Sequence, residues 1–317
     1  MRILLVKTSS LGDVIHNLPV ASDIRRRLPE ATIDWLVEDS FAEIPRLHPA
    51  VGKLIPVAMR RWRKALLSSV TWREIGAYRR LASADFYDAV IDTQGLLKSA
   101  LLAKAARGLK YGYGNPREPL AARFYDRRFV IPRDRNAVER NRQLAAAALG
   151  YTLDELPLDY GITAAARHVG GLPAGDYAVL LTATSRADKE WPEADWQTLG
   201  RALNAVGLAC VLPGGSPAER QRAARIAGSL EQAVAAPAMN LAALAGLMAG
   251  ARLVVGVDTG LVHLAAALRR PAVAIYCGSD PSLTGVLGTA PYRNLGSIGQ
   301  APAPVDVIAT ALQLAAV

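Results

Sequence analysis

Short apolar runs along the chain alternate with longer stretches whose apolar positions recur every three or four residues. The first pattern is that of strands buried in a parallel sheet, the second that of helices with one face against it. In the first half, RILLV (2–6), TIDWLV (32–37), KLIPV (53–57) and YDAVID (87–92) predict strands, and the helical period fills 13–28, 73–84, 96–106 and 134–149. The rhythm restarts with YAVLL (177–181), LACVL (208–212), RLVVGV (252–257) and AVAIY (272–276), with a weaker turn at 232–236. Helices are expected between these runs at 193–206, 217–229, 240–249 and 260–268. The alanine-rich tail predicts one more. Such alternation specifies an α/β architecture built on parallel sheets.

At 317 residues the chain is about twice the length of a typical domain. Between 150 and 176 it is punctuated by Gly150, Pro157, Gly161, Gly170, Gly171, Pro173 and Gly175, the composition of a linker. Residues 1–160 and 161–303 are therefore expected to be separate domains, with a last helix at about 304–317 able to pack back on the first or stay with the second. Two such halves leave a cleft between them, and ligands of open α/β sheets bind outside the carboxyl ends of the strands.

Charge separates the halves further. Residues 1–150 carry 26 Lys and Arg against 15 Asp and Glu, whereas residues 151–317 carry 11 against 13. The basic half is expected to face an anionic partner. Nucleic acid is not expected, because no zinc finger, RNA-binding signature or aromatic platform accompanies the charge. No apolar run approaches the roughly eighteen residues of a spanning helix. Met1 leads directly into a strand, so no secretory leader is expected. Cys210 and Cys277 lie in strand-like runs without metal-ligand spacing and read as buried thiols of a reducing compartment, the cytoplasm.

Candidate chemistry gathers where strands end. The first run, Ile3 to Val6, stops in Lys7-Thr8-Ser9-Ser10, and Gly12-Asp13 follows. Asp13 there is either a capping carboxylate or a base at the mouth of the sheet. After RLVVGV come Asp258, Thr259 and Gly260 at a helix start, where free backbone N–H groups suit a phosphate, with His263 one turn further. A plain helix cap explains the same residues. After YAVLL, Thr184, Ser185, Arg186 and Lys189 offer hydroxyls and cations, and Lys189 is the one lysine of residues 151–317. Glu219, in the first turn after Pro213-Gly214-Gly215, suits either the helix dipole or a ribose hydroxyl. The run Arg60-Arg61-Trp62-Arg63-Lys64 suits a phosphorylated, partly apolar partner, with Arg117, Arg123, Arg127 and Arg128 extending it, or else a solvated face. There is no Asp-x-Asp pair, no Gly-x-Ser-x-Gly elbow, and no metal spacing among His16, His48, His168 and His263.

These segments together resemble glycosyltransferase family 9, the lipopolysaccharide heptosyltransferases. The likeness rests on KTSSLGDVIHNLP (7–19), RRWRK (60–64), VIDTQGLLKSA (90–100), REPLAARFYDR (117–127), SRADKEWPE (185–193) and VDTGLVHLAAAL (257–268), in family order and nearly end to end. RRWRK and REPLA favour the members that add the first heptose; the alternative is heptosyltransferase II or another member acting on a later core acceptor. The resemblance implies a GT-B fold, two Rossmann-like domains with parallel sheets facing a central cleft. It also implies inverting, metal-independent transfer of L-glycero-D-manno-heptose from ADP-heptose to the inner Kdo of Kdo2-lipid A. The enzyme would need no cofactor beyond its donor and would work peripherally on the anionic cytoplasmic face of the inner membrane.

The same resemblance assigns roles. Asp13 would be the general base, with Ser10 and Gly12 beside it on the acceptor side, and Arg60, Arg63, Lys64 and Arg117 would be acceptor cations. Lys189 would contact the donor phosphates, with Thr184 and Ser185 in the same loop. Asp258, Thr259, Gly260 and His263 would form the donor-binding turn, Glu219 would meet the ribose and Met239 would lie near the adenine. Three positions depart from the pattern: Thr182 stands where relatives carry His, Ala187 where Asp is common, and Gly214 where an aromatic follows the proline.

Overall fold

The computed structural model describes residues 1–166, 175–184 and 186–316. Part of the linker, with His168, and the candidate Ser185 lie outside the described residues. The chain divides into two compact units, Met1–Ile162 and Thr163–Val317.

The first unit is built on six parallel strands: β1 (Arg2–Val6), β2 (Thr32–Glu38), β3 (Val51–Val57), β4 (Phe86–Asp92), β5 (Arg107–Tyr113) and β6 (Arg127–Phe129). Their order is β3-β2-β1-β4-β5-β6. Central strands are covered on both faces, so Ile3, Leu4, Leu5 and Val6 are all buried and the sequence shows an unbroken apolar run. β5 (RGLKYGY) and β6 (RRF) lie toward the open edge and carry cations and glycines instead, which is why the apolar pattern omits them. The single helix expected over 13–28 is two, Leu11–His16 and Leu18–Arg27. Asn17 separates them, and Pro19, with no N–H to give, sits where a new helix starts. Arg142 makes a bidentate pair with fully buried Asp23 at 2.7 and 2.9 Å, fastening the helix Ala137–Leu149 to the second of these.

The second unit repeats the plan with β7 (Tyr177–Leu181), β8 (Ala209–Leu212), β9 (Ala233–Ala235), β10 (Leu253–Val257), β11 (Ala272–Tyr276) and β12 (Tyr292–Gly296). The order β12-β11-β10-β7-β8-β9, all parallel, is the first unit's order read from the other edge. Both are the doubly wound 3-2-1-4-5-6 arrangement of dinucleotide folds. The segment at 232–236 is thus a short strand, and β12 (YRNLG) is an edge strand without an apolar run. The terminal helix, Pro304–Ala315, is built into this unit. Val307, Ala311 and Leu314 share its core with Leu199, Leu203, Val273 and Ile275. Among the described residues, no helix is long and apolar enough to cross a membrane.

One buried histidine makes the first unit's stability depend on pH. His48 Nδ1 accepts the Ala50 N–H at 3.1 Å, so Nε2 carries the proton and donates to Ser22 Oγ at 2.9 Å. Burial pushes its pKa down from the ordinary 6.5 to about 4. The folded state therefore prefers neutral imidazole. Stability is complete above the unfolded value and is lost as pH falls from about 6.5 toward 4, by about 1.4 kcal/mol per unit. Urea unfolding at pH 7 and pH 5.5 should differ by about 1 kcal/mol more in the parent than in His48→Gln. Equal pH slopes in the two proteins would show that His48 is not the group that titrates.

Candidate active site

In each unit the strand order reverses between the first and fourth strands, and the loops leaving those strands diverge there. In the first unit the reversal lies between β1 and β4. Gln94, just past β4, holds the loop after β1. Its Oε1 accepts from Thr8 N at 2.8 Å, Thr8 Oγ1 at 3.1 Å and Ser9 N at 3.2 Å, and its Nε2 donates to Ser9 O. Lys98 Nζ donates to Ser9 Oγ at 2.9 Å. Asp13 then closes a capping box: its Oδ2 accepts from Ser10 N at 2.7 Å and from Ser10 Oγ at 3.0 Å. Gly12 lies within the first turn of the helix, so the turn itself is made by Thr8 to Ser10.

A buried polar layer lies beneath this loop. Lys7 Nζ donates to Thr93 O at 2.7 Å and to Asn141 Oδ1 at 3.3 Å. Burial holds its ammonium below the usual lysine range, while Asp13 and Asp92 pull in the other direction. Asp92 accepts from Ser99 Oγ and Tyr125 OH, both at 2.8 Å, and from the N–H groups of Gln94 and Gly95. Burial raises its pKa and these four donors oppose the shift. Asp13 thus has a lysine beneath it and a fixed serine beside it.

The candidate acceptor cations flank Asp13 along the sheet edge. Arg60, Arg63 and Lys64 follow β3 and Arg117 follows β5, each strand being two places, about 10 Å, from β1. Glu38, buried at the end of β2, accepts from Met59 N and Arg60 N and starts the short helix Met59–Trp62. Arg60 lies over the Phe41 ring, 5.3 Å from its centroid. Arg61 is committed to Asp39 and Glu74, whereas Arg63, Lys64 and Arg117 are exposed.

In the second unit the reversal lies between β7 and β10, and the donor candidates meet there. Lys189 Nζ donates to Asp258 Oδ2 at 2.5 Å, and Ser279 Oγ, past β11, donates to the same oxygen at 2.5 Å. His263 Nε2 is 4.0 Å from Asp258 Oδ1, and Thr184 Oγ1 donates to Asp258 O at 3.3 Å. His263 is thereby buried behind Asp258 instead of lying open on the helix face. Thr259 is the N-cap of the helix Gly260–Ala267 without a side-chain cap bond, so its first N–H groups point to the loop side unfilled by that hydroxyl. Gly278 is required beside this cluster, because a Cβ there would come within 2.5 Å of Asp188 O. Fully buried Trp191, with its N–H on Pro302 O at 3.1 Å, anchors the far end of the lysine loop.

The remaining donor candidates stand at the same carboxyl edge without direct contact to this cluster. Glu219 closes a capping box, accepting from Gly215 N at 2.8 Å and Ser216 N at 3.0 Å while Ser216 Oγ accepts from Glu219 N. Met239 is half-buried in the loop after β9. The aromatic absent at Gly214 has no room, since a Cβ would come within 2.7 Å of Arg220 N. Thr182 is buried with its hydroxyl unpartnered, and Ala187 opens the short turn Ala187–Lys189. Lys7, Gln94, Lys98 and Ser279 were not singled out by sequence reasoning as site residues. Among the described residues, no group of three or more His, Cys, Asp and Glu side chains is arranged to hold a metal ion.

Comparison with known proteins is consistent across sequence and structure. Residues 76–304 match the family described as glycosyltransferase family 9 (heptosyltransferase). The chain is 45% identical over 307 residues to lipopolysaccharide heptosyltransferase 1 of Salmonella typhimurium, covering 94% of this chain and 97% of that protein. It is similar to a solved structure of E. coli heptosyltransferase WaaC with ADP, with a TM-score of 0.91 and 43% identity over 99% of this chain and 100% of that one. The same E. coli enzyme with ADP-2-deoxy-2-fluoro heptose gives a TM-score of 0.86 at 44% identity, over 99% and 98%.

Proposed function

The chain belongs to glycosyltransferase family 9, the heptosyltransferases, and from that membership we propose that it transfers L-glycero-D-manno-heptose from ADP-heptose to the inner Kdo of Kdo2-lipid A. It is a glycosyltransferase of GT-B fold that adds heptose in the lipopolysaccharide inner core. The observation that carries the donor assignment is the Lys189–Asp258 pair at the switch point of the second sheet, beside a helix start whose N–H groups lack a side-chain cap.

An ammonium has three donors. Asp258 takes one from Lys189 and fixes its direction, which leaves the others for a diphosphate. The helix start at Gly260 adds N–H groups and a partial positive charge. Glu219 and Met239 stand past the neighbouring strands, where ribose and adenine would extend. Thr184 belongs to the loop that carries Lys189, and Ser279 shares Asp258 with that lysine.

The reaction is a single in-line displacement, so it inverts the anomeric carbon. The acceptor hydroxyl oxygen attacks that carbon and its proton passes to Asp13. The bond to the phosphate oxygen breaks, and its electron pair leaves with ADP. Charge growing on the leaving diphosphate is met by Lys189 and the helix N-terminus, without a metal. Arg60, Arg63, Lys64 and Arg117 supply positive charge for Kdo carboxylates and lipid A phosphates, in keeping with the basic first half. The protein acts peripherally, on the cytoplasmic face of the inner membrane.

Incubation with ADP-heptose and Kdo2-lipid A should give a heptosylated lipid by mass spectrometry, together with one ADP per product. The yield should persist in EDTA. An absence of product while a known heptosyltransferase works alongside would end this assignment, and loss of product in EDTA would end the metal-free step.

A further inference from the structure

The first unit carries an apolar groove of about 570 Å³ between the helices Ser69–Ser83 and Leu97–Ala103, lined by Met59, Trp72, Ile75 and Leu101, with Arg79 and Lys104 among its walls. Beside it the chain turns outward through Leu66 and Leu67, which are 55% and 103% exposed. These tips are held in place. The Trp72 indole N–H donates to Leu66 O at 2.8 Å, tying the turn to the helix behind it. Trp72 is itself 59% exposed, whereas Trp35, Trp62, Trp191 and Trp196 are at most 5% exposed. Protruding leucines, a half-exposed indole and an open groove form one apolar face, larger than scattered surface residues require.

The charge around this face is of one sign. Residues 60–84 contain seven Lys and Arg against a single carboxylate, Glu74, and Arg61 and the Trp62 indole already engage that carboxylate. Apolar side chains projecting from a cationic rim fit the boundary between acyl chains and anionic headgroups. A second copy of the chain would instead bring like charge against like. We propose that this face docks on a bilayer of anionic lipid: Leu66, Leu67 and Trp72 enter the headgroup–acyl boundary, while Arg79 and Lys104, on the walls of the groove, meet lipid phosphates. Only the identity of the membrane rests on the proposed function. The docking itself involves neither donor nor acceptor.

The full chain is mixed with vesicles of phosphatidylglycerol and phosphatidylcholine, and separately with phosphatidylcholine alone. It should sediment with the anionic vesicles, less so at high salt, and leave the neutral ones in solution. Tryptophan emission should shift to the blue and be quenched by lipids brominated in their acyl chains, with both effects absent from Trp72→Phe. Leu66→Ser/Leu67→Ser should weaken vesicle affinity by about tenfold or more. Its turnover on a deacylated, water-soluble Kdo acceptor should stay within about twofold of the parent, since neither leucine is assigned to the reaction. Failure to bind anionic vesicles, binding without quenching, unaltered affinity of the leucine variant, or self-association through this face in place of lipid would overturn the proposal. Docking without heptose transfer to any Kdo acceptor would count against the proposed reaction and leave the docking face standing.

Discussion

Asp13→Asn should lower kcat by about 10²–10⁴-fold, the usual contribution of a positioned base, while the dissociation constant for ADP-heptose stays within about threefold. The amide has the shape of the carboxylate, and its oxygen can still accept from the Ser10 N–H and hydroxyl, so the capping box survives. Lys7 below it keeps its bonds to Thr93 and Asn141. What disappears is the ability to take a proton. Asp13→Ala should show the same fall in kcat and also lose about 0.5–1 kcal/mol of stability, because the box opens. The pair of variants therefore separates the proposed base from the observed cap. If Asp13→Asn weakened donor binding as much as turnover, or lowered the unfolding midpoint as Asp13→Ala does, the cap would account for Asp13 and the base would have to be sought elsewhere. Asp13 and the Lys189 cluster belong to different sheets, so Asp13→Asn leaves the Lys189–Asp258 pair as it is.

What the sequence made legible follows the physics of burial. β1, β2, β4, β7, β10 and β11 are covered on both faces, so each is written as an apolar run. β5, β6 and β12 lie toward the edges, where cations and glycines are tolerated, and nothing local marks RRF or YRNLG as strand. Asp13, Lys189 and Asp258 could be picked out because each stands shortly after such a run, and the family resemblance assigned their roles. Their partners were not legible. Gln94 is 86 residues from Thr8, and Lys189 is 69 from Asp258. No local pattern encodes those contacts, because they arise from the pairing of β1 with β4 and of β7 with β10. Once the doubly wound order is known, however, the loops after the first and fourth strands must be neighbours. That rule would have brought Gln94 to the Thr8–Ser10 loop, and the Gly278-Ser279 turn after β11 to the edge where Asp258 stands.

Lys189→Ala should reduce kcat/KM by about 10²–10³-fold and weaken ADP binding by about tenfold to a hundredfold, through loss of a charge-assisted hydrogen bond that strengthens as the diphosphate gains charge. The effect has two sources. The phosphate contact is lost, and Asp258, stripped of its ammonium, becomes an unpaired carboxylate facing an anionic ligand. A double-mutant cycle with Asp258→Asn tells them apart. If Lys189 did no more than neutralise Asp258, the double variant would bind ADP as the parent does. If Lys189 itself holds the phosphates, the double variant should recover only the repulsive part and remain at least tenfold weaker than Asp258→Asn alone. Lys189→Arg should not restore full turnover, because the ammonium shares the Asp258 oxygen with Ser279 at 2.5 Å and a planar guanidinium needs a wider approach. Full recovery of ADP affinity in the double variant would therefore reassign the lysine from ligand to counter-ion.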